Sequence, residues 1–190
     1  MQRPHNPQPA APVAAQKEEL TPDLCVIGAG SGGLSVAAAA AAFGRSVVLI
    51  EKHKMGGDCL NYGCVPSKAL IAAGKRAHAM RTSGVFGIRP VEPFIDHKAV
   101  HDRVHAVIGA IAPNDSVERF TGLGVHVVAA TGRFADRSTV IAGEHRIKAR
   151  RFVIATGSAP LVPAIPGLDT VPYFTNETIF ANQIRLEHLI

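Results

Sequence analysis

The chain has 190 residues, of which 47% are hydrophobic, and a formal net charge of +5. This length suffices for one substantial domain with its own core, and no apolar run is long enough to predict a membrane span. Basic residues are scattered and aromatic residues make up only 5%, a composition that argues against a nucleic-acid-binding surface.

Residues 1–20 are rich in Pro, Ala and Gln and lack the apolar core of a signal peptide. We expect a disordered tail there, followed by one domain over residues 21–190. Three cysteines, two of them close in sequence, are typical of a cytoplasmic protein in which a disulfide is catalytic rather than structural.

The first motif after the tail has the order that a dinucleotide site requires. Strand, glycine turn, helix, strand and acid follow one another in Asp23–Ile27, Gly28-x-Gly30-x-x-Gly33, Leu34–Phe43, Ser46–Ile50 and Glu51. Gly28 allows a tight turn, Gly30 lets the backbone approach a pyrophosphate, and Gly33 lets helix and strand pack closely. The helix N-terminus offers N–H groups to phosphates, and Glu51 can accept hydrogen bonds from ribose hydroxyls. A glycine turn without a ligand is the alternative.

A second motif, Gly56 to Lys68, contains Cys59 and Cys64. Residues five apart in an ideal helix lie roughly 8.6 Å apart at Cα, whereas a disulfide needs less than about 7 Å. A bridge here therefore requires a distorted or non-helical turn, for which Gly63 and Pro66 provide the means. Two ordinary cysteines, or a zinc site with too few paired ligands, are the alternatives. The third cysteine, Cys25, lies in an apolar strand and is predicted to pack in the core.

The rest of the chain predicts a mixed α/β arrangement. We expect helices at Ser67–Arg81 and at Asp96–Phe120, the second with a bend or interruption at Pro113. A strand at Val125–Ala129, an antiparallel meander at Arg133–Ile147 and a return to the parallel sheet at Arg151–Ala155 should follow.

Taken together, these motifs resemble the class I pyridine nucleotide–disulfide oxidoreductases, which include dihydrolipoamide dehydrogenase, glutathione reductase and mercuric reductase. Gly56–Lys68 is similar to the family signature GGxCxxxGCxPSK, and Phe152–Pro160 is similar to the strand and turn that close its FAD domain. The resemblance implies a Rossmann-like FAD-binding domain, with a central parallel sheet and a small antiparallel β-meander. It also implies electron flow from NAD(P)H through FAD to a Cys59–Cys64 disulfide, and on to a disulfide or metal-ion substrate.

The resemblance implies roles for individual residues. Cys59 would be the thiol that exchanges with substrate, Cys64 the thiolate against the flavin, and Lys68 a positive charge near the flavin N5 edge. Further contacts to FAD would come from Lys52, Gly57, Asp58, Thr131, Gly132, Thr156 and Gly157. Asp58 departs from the family, which typically carries threonine at this position. It would either repel the FAD phosphates or bind a ribityl hydroxyl.

Family members continue with an NAD(P)H-binding domain and a dimerisation domain, which carries a catalytic histidine for the partner subunit. A second glycine motif is not visible here, so we expect an incomplete FAD-binding portion of a protein that is a homodimer at full length. An FAD-binding module that is inactive alone, and an NAD-dependent dehydrogenase with incidental cysteines, are the alternative functions. No resident metal is expected.

Overall fold

The computed structural model describes residues 18–190. Eight strands are present in this part of the chain: β1 (Glu18–Leu20), β2 (Leu24–Ile27), β3 (Val47–Glu51), β4 (Val125–Ala129), β5 (Gly132–Asp136), β6 (Thr139–Ala142), β7 (His145–Lys148) and β8 (Arg151–Ile154). Its α-helices are α1 (Ser31–Ala42), α2 (Gly57–Asn61), α3 (Cys64–Thr82), α4 (His97–Ile111), α5 (Val117–Gly122) and α6 (Asn176–Ile179).

The central sheet consists of four parallel strands in the order β4-β3-β2-β8. Its inner strands are runs of apolar residues because both faces of the sheet are covered. The second sheet has the order β1-β7-β6-β5, in which β5, β6 and β7 form an antiparallel meander. The predicted parallel sheet, meander and returning strand are therefore confirmed.

Alternating side chains of the central sheet point into two separate cores. On one face, Cys25 and Ile50 pack with Val140 and Ile147 of the meander. On the other face, Leu49 packs with residues of α1 and with Phe120 of α5. Alanine favours helix formation, and its small side chain lets α1 lie close to the sheet.

The N-terminal boundary differs from the sequence prediction, which placed residues 1–20 in a disordered tail. Residues 18–20 instead form β1, which pairs in parallel with β7 in the register Glu18↔His145 to Leu20↔Ile147. Leu20 also packs against the core beneath this sheet. Residues 1–17 lie outside the described residues.

The second long helix is interrupted at the proline, as the sequence allowed. Helix α4 ends at Ile111, a 3₁₀ segment covers Ala112–Asp115, and α5 begins after Ser116. The Ser116 hydroxyl accepts a hydrogen bond from the Arg119 N–H at 3.2 Å and so caps α5. Within residues 18–190, no helix combines the length and the apolar character needed to cross a bilayer.

Candidate functional site

A cleft of about 1010 Å³ lies at the carboxyl ends of β2, β3 and β8. Crevices at this edge of a parallel sheet are the usual ligand sites of α/β folds. Eight of the residues that the sequence assigned to a cofactor line the cleft: Gly28, Gly30, Glu51, Lys52, Gly57, Asp58, Thr156 and Gly157.

The glycine turn forms the floor of this cleft. Gly28 has φ +105°, and a side chain there would collide with the carbonyl oxygen of Ala155. A side chain at Gly33 would collide with the carbonyl of Gly28, so Gly33 permits the close packing of α1 on β2. Beside Gly30 the space is open except for the Cα of Gly57, at 3.8 Å from a Cβ position.

The N-terminus of α1 is available to an anion. Its N-cap residue is Gly30, so no side chain caps the helix, and no acidic residue occupies its first turn. The helix N–H groups and the positive end of the helix dipole therefore face the cleft without a competing carboxylate from the helix itself. Together with the space beside Gly30, this arrangement fits the pyrophosphate of a dinucleotide.

Glu51 is fixed at the end of β3 by two backbone donors. Its Oε2 accepts a hydrogen bond from the Ala29 N–H at 2.7 Å, and its Oε1 accepts one from the His53 N–H at 2.8 Å. Each carboxylate oxygen has a further acceptor site. Glu51 therefore joins the glycine turn to the loop after β3 and still offers acceptors to ribose hydroxyls.

The two cysteines lie on either side of a break between helices. Cys59 belongs to α2, and Cys64 is the first residue of α3. Gly63 separates them with φ −122° and ψ −110°, outside the helical region. The predicted non-helical turn is confirmed. The predicted start of the next helix near Ser67 is wrong, since α3 begins at Cys64. Pro66 is tolerated there because it falls in the first turn of the helix, where a missing N–H costs no helical hydrogen bond.

The thiols are free and close enough to influence each other. The pKa of the Cys59 thiol is raised, mainly by the side chain of Cys64 and then by burial. The Cys64 N–H and the positive charge of Lys68 act in the opposite direction. Within residues 18–190, no group of three or more potential metal ligands is placed around a common point.

Cys59 also lines a second cavity of about 390 Å³, on the other side of α2 from the dinucleotide cleft. The walls combine apolar residues of α1, such as Leu34, with Asp115 and Arg119. Since Cys64 is exposed and Cys59 is half-buried, the pair is accessible to a small molecule.

Asp58, which precedes Cys59, points across the cleft. Its Oδ1 accepts a hydrogen bond from Asn176 Nδ2 at 2.9 Å, which ties α2 to α6. Asn176 and its neighbours Glu177 and Thr178 also line the cleft. Sequence reasoning assigned no site role to these three residues, because the contact spans 118 positions and no local pattern signals it.

Four of the twelve residues that the sequence assigned to a cofactor lie outside the lining of the cleft. Thr131 and Gly132 follow β4, at the same edge of the sheet as Glu51. Lys68 is exposed on α3, one turn beyond Cys64, and Gly33 lies in α1 below the cleft. The cleft is also lined by residues to which the sequence assigned no individual contact, namely His53, Lys54, Asn61, Tyr62, Ala155, Ser158, Ala159 and Pro160.

Cys25 belongs to the core, as predicted. Its side chain is fully buried, and burial raises the pKa of its thiol to about 12. A thiol in this state is inert at neutral pH, so Cys25 has no part in the chemistry of the Cys59–Cys64 pair.

Comparison with known proteins gives a consistent family assignment. Residues 22–189 match the family described as "Pyridine nucleotide-disulphide oxidoreductase". The chain is 38% identical to a mercuric reductase of Streptomyces lividans over 88% of its own length and 37% of the relative. It is also 38% identical to a dihydrolipoyl dehydrogenase of Haloferax volcanii, over 87% and 34% of the two chains. The chain thus spans about a third of the length of the curated relatives it matches.

Proposed function

Because the chain belongs to the pyridine nucleotide-disulphide oxidoreductase family, we propose that it binds FAD and exchanges electrons through a reversible Cys59–Cys64 disulfide. The observation that carries this proposal is the helix break at Gly63, which lets two cysteines approach each other beside a dinucleotide cleft. NAD(P)H is the proposed electron donor, bound by a part of the protein beyond this chain.

The residues of the cleft have separate tasks in this proposal. The N-terminus of α1 holds the pyrophosphate, and Glu51 accepts hydrogen bonds from the adenosine ribose. Bound FAD supplies two-electron chemistry between NAD(P)H and the dithiol pair. Lys68 provides positive charge near the pair, which favours the thiolate form of Cys59.

The second cavity is the proposed route of the substrate to Cys59. For a disulfide substrate, the Cys59 thiolate attacks one sulfur, and the other sulfur leaves as a thiol after taking a proton. Cys64 then attacks the sulfur of Cys59, which closes the protein disulfide and releases the second substrate thiol. The substrate thus gains two electrons and two protons, and NAD(P)H supplies the electrons that reopen the bridge.

Names of relatives leave two substrate classes for this chain. Mercuric reductase and dihydrolipoyl dehydrogenase are named among them, so we propose either a metal ion, Hg(II), or a small disulfide. Cys59 is half-buried at a cavity that is also lined by the carboxylate of Asp115 and the guanidinium of Arg119. This arrangement suits either a metal ion or a small disulfide. We further propose a homodimer for the full-length form.

A stoichiometric reduction tests the proposal. The FAD-loaded protein is titrated anaerobically with dithionite, and flavin absorbance and free thiols are measured after each addition. We expect the first two electrons to open the disulfide, giving two new thiols while the flavin stays oxidised. In Cys64→Ser the first two electrons should bleach the flavin instead. Identical titrations of the two proteins would contradict the proposal.

A second candidate function is an FAD-binding module that does not turn over by itself. It is favoured by the sequence itself, in which a single glycine motif of the dinucleotide type occurs. Reaction of the dithionite-reduced chain with a small disulfide distinguishes the two candidates, because release of substrate thiols together with closure of the Cys59–Cys64 bridge would exclude an inactive module.

A further inference from the structure

The carboxylate of Asp58 contacts two parts of the molecule that are distant in sequence. One oxygen accepts the hydrogen bond from Asn176 on α6. The other lies above the helix break, 2.6 Å from the position that a Cβ of Gly63 would occupy. Asp58 is therefore placed between α6 and the turn that separates the two cysteines.

This placement restricts the cysteine turn. Any side chain at Gly63 would displace the carboxylate, and the Tyr62 N–H donates to the Asp58 backbone carbonyl at 2.8 Å, which closes the same turn from below. The hydrogen bond to Asn176 holds the Asp58 side chain from the opposite direction. The anchored Asp58 side chain therefore limits how far Cys59 can move away from Cys64.

We propose that Asp58 is a positioning residue for the Cys59–Cys64 pair and that it acts through its hydrogen bond to Asn176. This inference rests on the proposed redox function of the pair. Holding the two thiols near each other raises their effective concentration, which favours closure of the disulfide. The hydrogen bond consequently makes the bridge harder to reduce, and it links the redox equilibrium to the position of α6.

The equilibrium is measured against a reference couple. In reduced and oxidised dithiothreitol, the protein disulfide takes two electrons and two protons as the reference dithiol closes to its cyclic disulfide. The FAD-loaded protein is equilibrated anaerobically, quenched in acid, and alkylated after unfolding, and the reduced fraction is read by mass. Cys25 adds one constant label.

The variants separate the hydrogen bond from the charge. Asn176→Leu and Asp58→Leu remove the bond, and each should make the bridge about two- to tenfold easier to reduce, as expected for the net contribution of one such bond. A tenfold change corresponds to about 30 mV for a two-electron couple. Asp58→Asn keeps an acceptor for Asn176 without the charge and should stay near the wild-type equilibrium. The double leucine variant should match the single variants rather than add their effects.

Asn182→Leu is the matched control, because Asn182 lies in the same segment and donates to the Ile184 carbonyl at 2.7 Å instead of to α2. An unchanged equilibrium in Asn176→Leu, a shift equal to that of the control, or additive effects in the double variant would overturn the inference. A wild-type protein in which Cys59 and Cys64 form no disulfide would instead overturn the proposed function on which the inference rests.

Discussion

At the scale of single residues, the cleft is organised by groups that serve structure and ligand at once. Glu51 satisfies the N–H groups of Ala29 and His53 while its remaining lone pairs face the cleft. Gly33 gives α1 its close contact with the glycine turn. Such residues cannot be exchanged without a cost to folding as well as to binding, so both quantities have to be measured together.

Glu51→Gln should weaken the site in both respects. The glutamine oxygen can accept from only one of the two backbone N–H groups, and the other then faces an NH₂ group. An N–H without an acceptor costs about 1–3 kcal/mol, with the lower end applying if the exposed His53 N–H rather than the part-buried Ala29 N–H loses its acceptor. We expect a loss of that size in the free energy of unfolding, measured by denaturant titration, and FAD binding at least about tenfold weaker by fluorescence titration.

Glu144→Gln is the control for this substitution. It makes the same chemical change at an exposed position in the turn between β6 and β7. If Glu51→Gln binds FAD as tightly as Glu144→Gln does, Glu51 has no part in holding the dinucleotide.

At the scale of elements, one carboxylate joins the amino ends of three strands of the central sheet. Asp23, just before β2, accepts hydrogen bonds from the backbone and hydroxyl of Ser46 before β3, at 3.2 and 3.1 Å. It also accepts one from Arg150 before β8, at 2.9 Å. The carboxyl ends of these strands, at the opposite edge of the sheet, form the ligand cleft.

Asp23→Asn should remove a pH-dependent part of the stability. Arg150 first, and then Ser46, lower the pKa of Asp23 below its ordinary value of 3.8, so the ionised form is favoured in the folded protein. The stabilisation is therefore complete above pH 3.8 and is lost as the pH falls through the folded-state pKa. Denaturant titrations should show a constant difference between wild type and variant at neutral pH, and a shrinking difference in acid.

The exposed Asp169 provides the comparison for this experiment, since Asp169→Asn changes a carboxylate outside the cluster. A difference between wild type and Asp23→Asn that stays constant down to the acid limit, or that Asp169→Asn reproduces, would show that the Asp23 cluster does not carry the effect.

At the scale of the whole molecule, features that depend on local sequence patterns could be predicted, whereas features that depend on long-range contacts could not. The apolar strands, the glycine turn and the need for a break between Cys59 and Cys64 follow from residue type and spacing. Strand β1 could not be predicted in this way, because its three residues include two charged ones and form a strand only by pairing with β7, more than a hundred positions away. The contact of Asp58 with Asn176 is non-local in the same way, so the α6 wall of the cleft could not be predicted from sequence.

The molecule as a whole brings a cleft suited to a dinucleotide and a pair of thiols to the same edge of one sheet. The cysteines themselves lie beside this cleft rather than in its lining, with Asp58, Asn61 and Tyr62 of the same segment forming the wall. The account thus requires that a flavin bound in the cleft reach the exposed thiol of Cys64.

The absorbance spectrum of the FAD-loaded protein after two-electron reduction tests this requirement most directly. A thiolate in contact with oxidised flavin gives a long-wavelength band that neither group has alone. We expect the band in wild type after two-electron reduction, and in Cys59→Ser before any reduction, because its Cys64 is already a thiol and its flavin is oxidised. Cys64→Ser should lack the band at every stage at which its flavin is oxidised. A reduced wild-type protein that binds FAD and contains two free thiols at Cys59 and Cys64, yet lacks the band, would contradict the account.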